Sequence, residues 1–205
     1  NAAAVTTSGD IAAATINFAA DGSLTLADGS DVEGAITNTT TNQGTLTLLG
    51  TSTVSGAAGS TGVGLLAVNA GATGAVATFD GLVKTTTLTV TGLGDVVLNA
   101  GLAGAVAFAA NGELTLGDGS TITGAVTTAV NNTGTLTFLG SGGVTGDVGA
   151  AGLALKDINA GADGATVTFG GDVFVATSTL PVTASGTVAL SGSLTGNANF
   201  DADGV

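Results

Sequence analysis

No histidine, cysteine, methionine, tryptophan, tyrosine or arginine occurs in these 205 residues, and proline occurs once. Without His and Cys a serine or cysteine triad of the usual kind cannot exist, because an activated nucleophile needs a neighbouring base. Only two cations, Lys84 and Lys156, face fifteen acids, for a formal charge of −13. That balance excludes nucleic acid as a partner, since phosphate recognition needs clustered Lys and Arg. It equally disfavours anionic membrane surfaces. No run of about twenty apolar residues is present, so no transmembrane segment is expected. A transmembrane barrel would need the missing Tyr and Trp girdles. Residues 1–20 show neither the basic nor the apolar region of a signal peptide. The lack of Cys leaves the redox compartment open, because a stacked repeat needs no disulfide.

What remains is a narrow alphabet of Gly, Ala, Thr, Val and Leu, with no charge at all between Gly34 and Phe79. Aliphatic residues recur too regularly for a disordered chain. Self-comparison is the informative step. Phe18-Ala-Ala-Asp-Gly-Ser-Leu-Thr-Leu-Ala-Asp-Gly-Ser30 recurs as Phe108-Ala-Ala-Asn-Gly-Glu-Leu-Thr-Leu-Gly-Asp-Gly-Ser120, and Gly44-Thr-Leu-Thr-Leu-Leu-Gly50 as Gly134-Thr-Leu-Thr-Phe-Leu-Gly140. The register holds without a gap from Phe18 to Thr87, and after a two-residue insertion Leu88 matches Leu180. Val5–Ile11 resembles both Val90–Val96 and Val182–Val188. The chain therefore reads as one elongated repeat region, with copies at about 5–89 and 90–181 and a partial third at 182–205.

Leu24/Leu26, Leu46/Leu48, Leu88/Val90 and Val96/Leu98 alternate with Thr and other residues at period two, the pattern of half-buried strands. Asp21-Gly22, Asp28-Gly29, Asn111-Gly112 and Asp118-Gly119 punctuate them, with Gly expected to supply positive φ and Asp or Asn to bond its own backbone. No capped segment of helical period appears. The expected fold is all-β, a parallel β-solenoid (β-helix) in which each coil buries its inner row against the next. Because Asp-Gly also marks hairpins, tandem antiparallel β-sandwich-like units remain the alternative.

Few side chains offer chemistry. Lys84 and Lys156 align with Phe174 and Leu66 across the repeat, which predicts surface lysines whose stems pack on the sheet. Asp28, Asp31 and Glu33 form the densest acidic cluster, and Asp31 and Glu33 share a strand face. Such a carboxylate pair is the one route left to a carbohydrate-active β-helix enzyme. The second copy has Thr121 and Thr123 there and keeps only Asp118, and the aromatic platforms that sugars stack on are missing. No enzyme is expected. No cofactor is required; calcium is the one candidate, with Asp28, Asp31, Glu33 and Asp118 as its ligands, although they form neither an EF-hand loop nor a nonapeptide calcium repeat. Thr45/Thr47, Thr85/Thr87/Thr89/Thr91 and Thr135/Thr137 are expected to face one side of their strands. Flat Thr-x-Thr ladders resemble the surfaces of solenoidal ice-binding proteins, a second functional alternative. Gly56-Ala-Ala-Gly59 and Gly142-Gly143 lack the Lys-Ser/Thr of a phosphate loop.

Asp118-Gly-Ser-Thr-Ile-Thr-Gly-Ala-Val126, Asn131-Asn-Thr-Gly-Thr-Leu-Thr-Phe-Leu-Gly140 and Val144-Thr-Gly-Asp-Val-Gly149 resemble the passenger regions of rickettsial outer membrane protein B and related surface-cell-antigen autotransporters. By internal repetition the likeness extends over most of the chain. It implies an extracellular protein of the bacterial cell surface that forms a coat and adheres to host or neighbouring cells. The aromatic-terminated strands of that family's C-terminal barrel do not occur in residues 1–205. No catalytic residue is carried over. Neither Asn1–Val5 nor Asn199–Val205 reads as a polar cap, so the expected partner is a second copy, joined end to end in a filament or layer.

Overall fold

The computed structural model describes residues 3–60, 62–183 and 185–201 as strands, turns and bends, with no helix among them. Residues 1, 2 and 202–205, the outermost parts of the two segments expected to lack a polar cap, lie outside the described residues. Period-two patterning does what the sequence requires. In Gly22–Leu26 the leucines point inward and are buried, while Ser23 and Thr25 stay half-exposed, and Thr45–Leu48 and Glu113–Leu116 repeat the pattern. Among the described residues all pairings between strands are parallel, and the chain winds into a β-solenoid of about nine turns.

Each turn crosses three ladders. In the first, Val5, Leu24, Leu46, Val68, Leu88, Val106, Val126, Val148, Val173 and Leu194 stack in that order. The second runs Ile11, Val32, Val54, Phe79, Leu98, Leu116 and Phe138. The third runs Ile16, Ile36, Ala58, Val83, Leu102, Ile122, Val144, Phe169 and Leu190. Strands Val83–Val90 and Leu102–Phe108 turn a corner, starting in the third ladder and ending in the first. Turn length varies from 18 residues (Asp95 to Glu113) to 25 (Gly142 to Val167), and the corners absorb the difference.

The three inner rows merge into one core from Leu24 to Val175, with Phe79, Phe108 and Phe169 among its largest fully buried side chains. Phe138 and Phe169 meet edge to face at 5.8 Å, an arrangement worth about 0.5–1.5 kcal/mol beyond area burial. Gly44 and Gly134 make room for Phe18 and Phe108. At φ of 83° and 87°, a Cβ on either would lie within 2.6 Å of the ring.

The sequence repeat is not the coil. Leu24 pairs with Val5 and Leu46 in the first ladder, whereas its counterpart Leu114 pairs with Val96 and Leu136 on the second face. Val54 moves likewise from the second ladder to the third at Val144, and Val83 from the third to the first at Val173. Ninety residues span four turns and one face (Leu24, Leu46, Val68, Leu88, Val106, then Leu114). Equivalent residues therefore sit one face round the solenoid.

Two expectations need correction. The Asp-Gly pairs are corners between ladders, not hairpins, and the antiparallel bridges among the described residues are the small loops Ser60–Val63 and Ala150–Leu153. Positive φ is found at Gly29 and Gly119 but not at Gly22 or Gly112, whose missing Cβ instead admits the backbone of the preceding coil. Thr85 does not share a face with Thr87 and Thr89. A bulge turns it inward, where it is 4% exposed and its hydroxyl donates to the Leu65 and Thr87 carbonyls.

Because each buried Leu is sandwiched between two coils, Leu46→Ala should cost about 2–5 kcal/mol. The outward neighbour Thr47→Ala should stay within about 0.5 kcal/mol. Denaturant midpoints of the two variants provide the comparison, and equal losses would contradict this division of the strand.

Candidate functional site at the acidic corners

The acids sit mostly where the chain turns, and there they accept backbone N–H groups from the following coil. Thr51 N–H donates to Asp28 Oδ1 and Ser141 N–H to Asp118 Oδ1, each at 2.8 Å. The chain of bonds continues in both copies. Thr51 Oγ1 accepts the Val76 N–H (3.3 Å), and Ser141 Oγ accepts the Thr166 N–H (3.1 Å). Other acids line up coil upon coil. Asp31 N–H donates to Asp10 Oδ1 (3.0 Å) while Asp31 Oδ1 accepts the Thr53 N–H (2.6 Å). Asp172 N–H donates to Asp147 Oδ1 (2.9 Å), and Ser193 donates its N–H and hydroxyl to Asp172 Oδ1 (2.8 Å each). Asn111 and Asn131 do the same for Gly134 and Ala154. Corner amides cannot join the strand ladders, so a carboxylate or amide oxygen is the nearest way to satisfy them.

Asp28, Asp31 and Asp118 are thus placed as acceptors between coils rather than bonding their own turns. Asp31 and Glu33 flank the buried Val32 and point outward together, as their spacing predicts, and Glu33 is exposed. Asp118 lies in the second copy, one face round from Asp28. Among the described residues no three acids converge as a metal cage. Sequence reasoning foresaw a structural reason for Asp28 and Asp118 to persist but not the partner, because a bond from residue i to about i+22 leaves no local pattern.

Protonation follows the same geometry. The Ser193 N–H, then its hydroxyl, holds the Asp172 carboxyl below the usual carboxylate value. The Ser185 hydroxyl does so for Asp163. Asp95 goes the other way, raised first by desolvation and then by Glu113, which stacks directly on it. Of the lysines, Lys156 pairs with Asp157 at 3.5 Å, while Lys84 is half-buried on the third face.

Outward Thr rows are real but split between faces. Thr45/Thr47 and Thr87/Thr89 lie on the first ladder, Thr135/Thr137 on the second. Hydrogen bonds knit some together: Asn159 Nδ2 donates to Thr137 Oγ1 (3.0 Å), which donates to Glu113 Oε1 (2.6 Å).

Together these features define a three-ladder parallel β-solenoid with carboxylate-bonded corners. Comparison with protein-family models, curated proteins and solved structures finds no match.

Removing the acceptor in Asp118→Ala should cost about 1 kcal/mol, with Asp118→Asn, which keeps an oxygen there, losing less. Asp172→Ala should lower the melting temperature at neutral pH. The Asp172 carboxylate titrates below its unfolded value, so its contribution is present above that value and fades as pH falls through the folded one. The difference between variant and parent should therefore vanish in strong acid. Because these carboxylates already hold amides, melting with and without EDTA should coincide. A fall of about ten degrees or more on chelation would make them calcium ligands instead.

Proposed function

We propose that this chain is a non-catalytic structural unit of an extracellular bacterial surface coat or filament, whose coils stack end to end between copies. The supporting observation is an apolar groove that the core presents to solvent. Val5, Ile11, Ile16, Phe18 and Leu24 line an apolar groove of about 480 Å3 at the first described coil, and Val5 is 55% exposed. Among the described residues the strand Ala3–Thr7 beside it pairs with Gly22–Leu26 alone. A further parallel coil fits such a groove, offering both hydrogen-bonding groups and an aliphatic row. The last described coil carries that row, with Leu194 at the end of the first ladder and the 39%-exposed Leu190 at the end of the third. Setting Leu194 of one copy over Val5 of the next continues the first ladder. Such a head-to-tail contact is heterologous and does not close, so it yields filaments. An adhesive role on the cell surface follows from the likeness to surface-cell-antigen passengers.

Electron microscopy and sedimentation of the purified chain provide the test. The parent should form polymers, and Val5→Asp and Leu194→Asp should each abolish them. An equimolar mixture of the two variants retains one intact end per chain and should stop at dimers. A monomeric parent at high concentration, or polymers of Val5→Asp, would refute end-to-end stacking.

The first ladder's outer surface favours a second function, binding to ice. Thr6, Thr25, Thr47, Asn69, Thr89, Ala107 and Thr127 form one row, and Ser23, Thr45, Ala67, Thr87 and Ala105 another, all uncharged. Strand geometry sets them on a grid of about 4.8 Å between coils and about 6.6 Å along each strand. Thermal hysteresis that disappears in Thr47→Lys would support ice binding, and its absence in the parent would exclude it.

A further inference from the structure

Independently of assembly, one cation has a setting that folding does not explain. Lys156 is neutralised by Asp157, but Lys84 has no carboxylate at ion-pair distance among the described residues. It lies in a corner cleft of about 410 Å3 with Thr41, Asn42, Val63, Thr86 and Ala103, and no lining residue is acidic. The acid on the preceding coil of this corner, Asp21, directs Oδ1 at the Gly44 N–H (3.4 Å).

The cleft is built by a β-bulge. Pairing between Val83–Val90 and Leu102–Phe108 shifts between Ala103 and Ala105, so Thr85 and Thr86 together oppose Gly104. A Cβ on Gly104 would lie 1.9 Å from the Thr85 carbonyl oxygen, and its φ is 154°. The extra residue re-aims its neighbours, as bulges do. Thr85 turns in, and Thr86 turns out to donate its hydroxyl to Asn42 Oδ1 (2.7 Å), across the intervening coil. Asn42 is itself held at φ 60°. The walls are fixed while the lysine stays uncommitted.

The second copy supplies a control. Its equivalent cleft, of about 550 Å3, has Phe174 at the Lys84 position and Ala176 at the Thr86 position. The corner closes without a cation or a hydroxyl at these two positions, so the backbone requires neither there.

The geometry points to the Lys84 cleft as a binding site for a monoanionic sugar acid, its carboxylate on the Lys84 ammonium. One lysine matches one negative charge. Thr41, Asn42 and Thr86 supply hydroxyl and amide groups for ring hydroxyls, and Val63 with Ala103 suits a C–H face. An amino acid carries an ammonium group too, for which the cleft has no carboxylate.

Titrating the whole 15N-labelled chain with glucuronate, glucose and glutamate tests this by amide shifts. Glucuronate should give saturable shifts at Thr41, Asn42, Gly62 and Thr86 but none at Asn131, Gly152 or Ala176. Glucose and glutamate should bind about tenfold more weakly or not at all. Lys84→Met should weaken glucuronate about tenfold with the rest of the spectrum unchanged, and Lys84→Arg should retain it. Equal binding of glucose or glutamate, equal shifts in the Phe174 cleft, or an unaffected Lys84→Met would overturn the assignment.

Discussion

Parallel hydrogen bonding between successive coils is the constraint on which everything else depends. Each strand must present its N–H and C=O groups in register with the coil before and the coil after, about 4.8 Å away. Every side chain then lies against its counterpart one turn on. Aliphatic residues gain from this inside the solenoid, where Leu46 sits between Leu24 and Val68. Outside, Thr, Asn and Ala tolerate it. Charges do not, because like charges in one column repel at that distance. The low charge content of the chain follows from the stacking rule. On the strand faces Asp95 over Glu113 is an exception, and the Asp95 carboxyl is raised first by desolvation and then by Glu113.

Corners are where that rule relaxes and where the acids collect. Amides leaving a strand find no ladder partner, and the carboxylates of Asp28, Asp31, Asp118 and Asp172 accept them from the next coil. A corner acid thus extends the inter-coil bonding past the strand end. It also permits turns of 18 to 25 residues without losing register on the faces. Variable corners let a ninety-residue repeat advance by one face, since three equivalent faces accept the same strand. Asp28 and Asp118 make the same bonds at different corners for that reason.

Much of this was legible in the sequence. Leu24/Leu26 and Leu46/Leu48 gave strands by period alone, and the ungapped match from Phe18 to Thr87 pointed to stacking. Three features were not legible. The advance of one face per copy depends on how corners close, which Asp-Gly pairs do not encode. The partners of Asp28 and Asp118 lie about a full coil away in sequence. Thr85 looked outward by period two, and only the bulge opposite Gly104 turns it in. Of the Lys84 cleft, the sequence showed an apolar-to-cation replacement, Phe174 against Lys84, without the geometry that makes it a cleft.

Interstrand backbone NOEs in the labelled chain test the central claim, that parallel coils carry a repeat which moves one face per copy. Parallel contacts should link Val96 to Leu114 and Leu114 to Leu136, and separately Leu88 to Val106 and Val106 to Val126. Strong Hα–Hα contacts across Asp28-Gly29 would instead mark an antiparallel hairpin. Contacts joining Leu114 to the Leu88 and Val106 ladder would put the two copies in phase. Either result would contradict the architecture described.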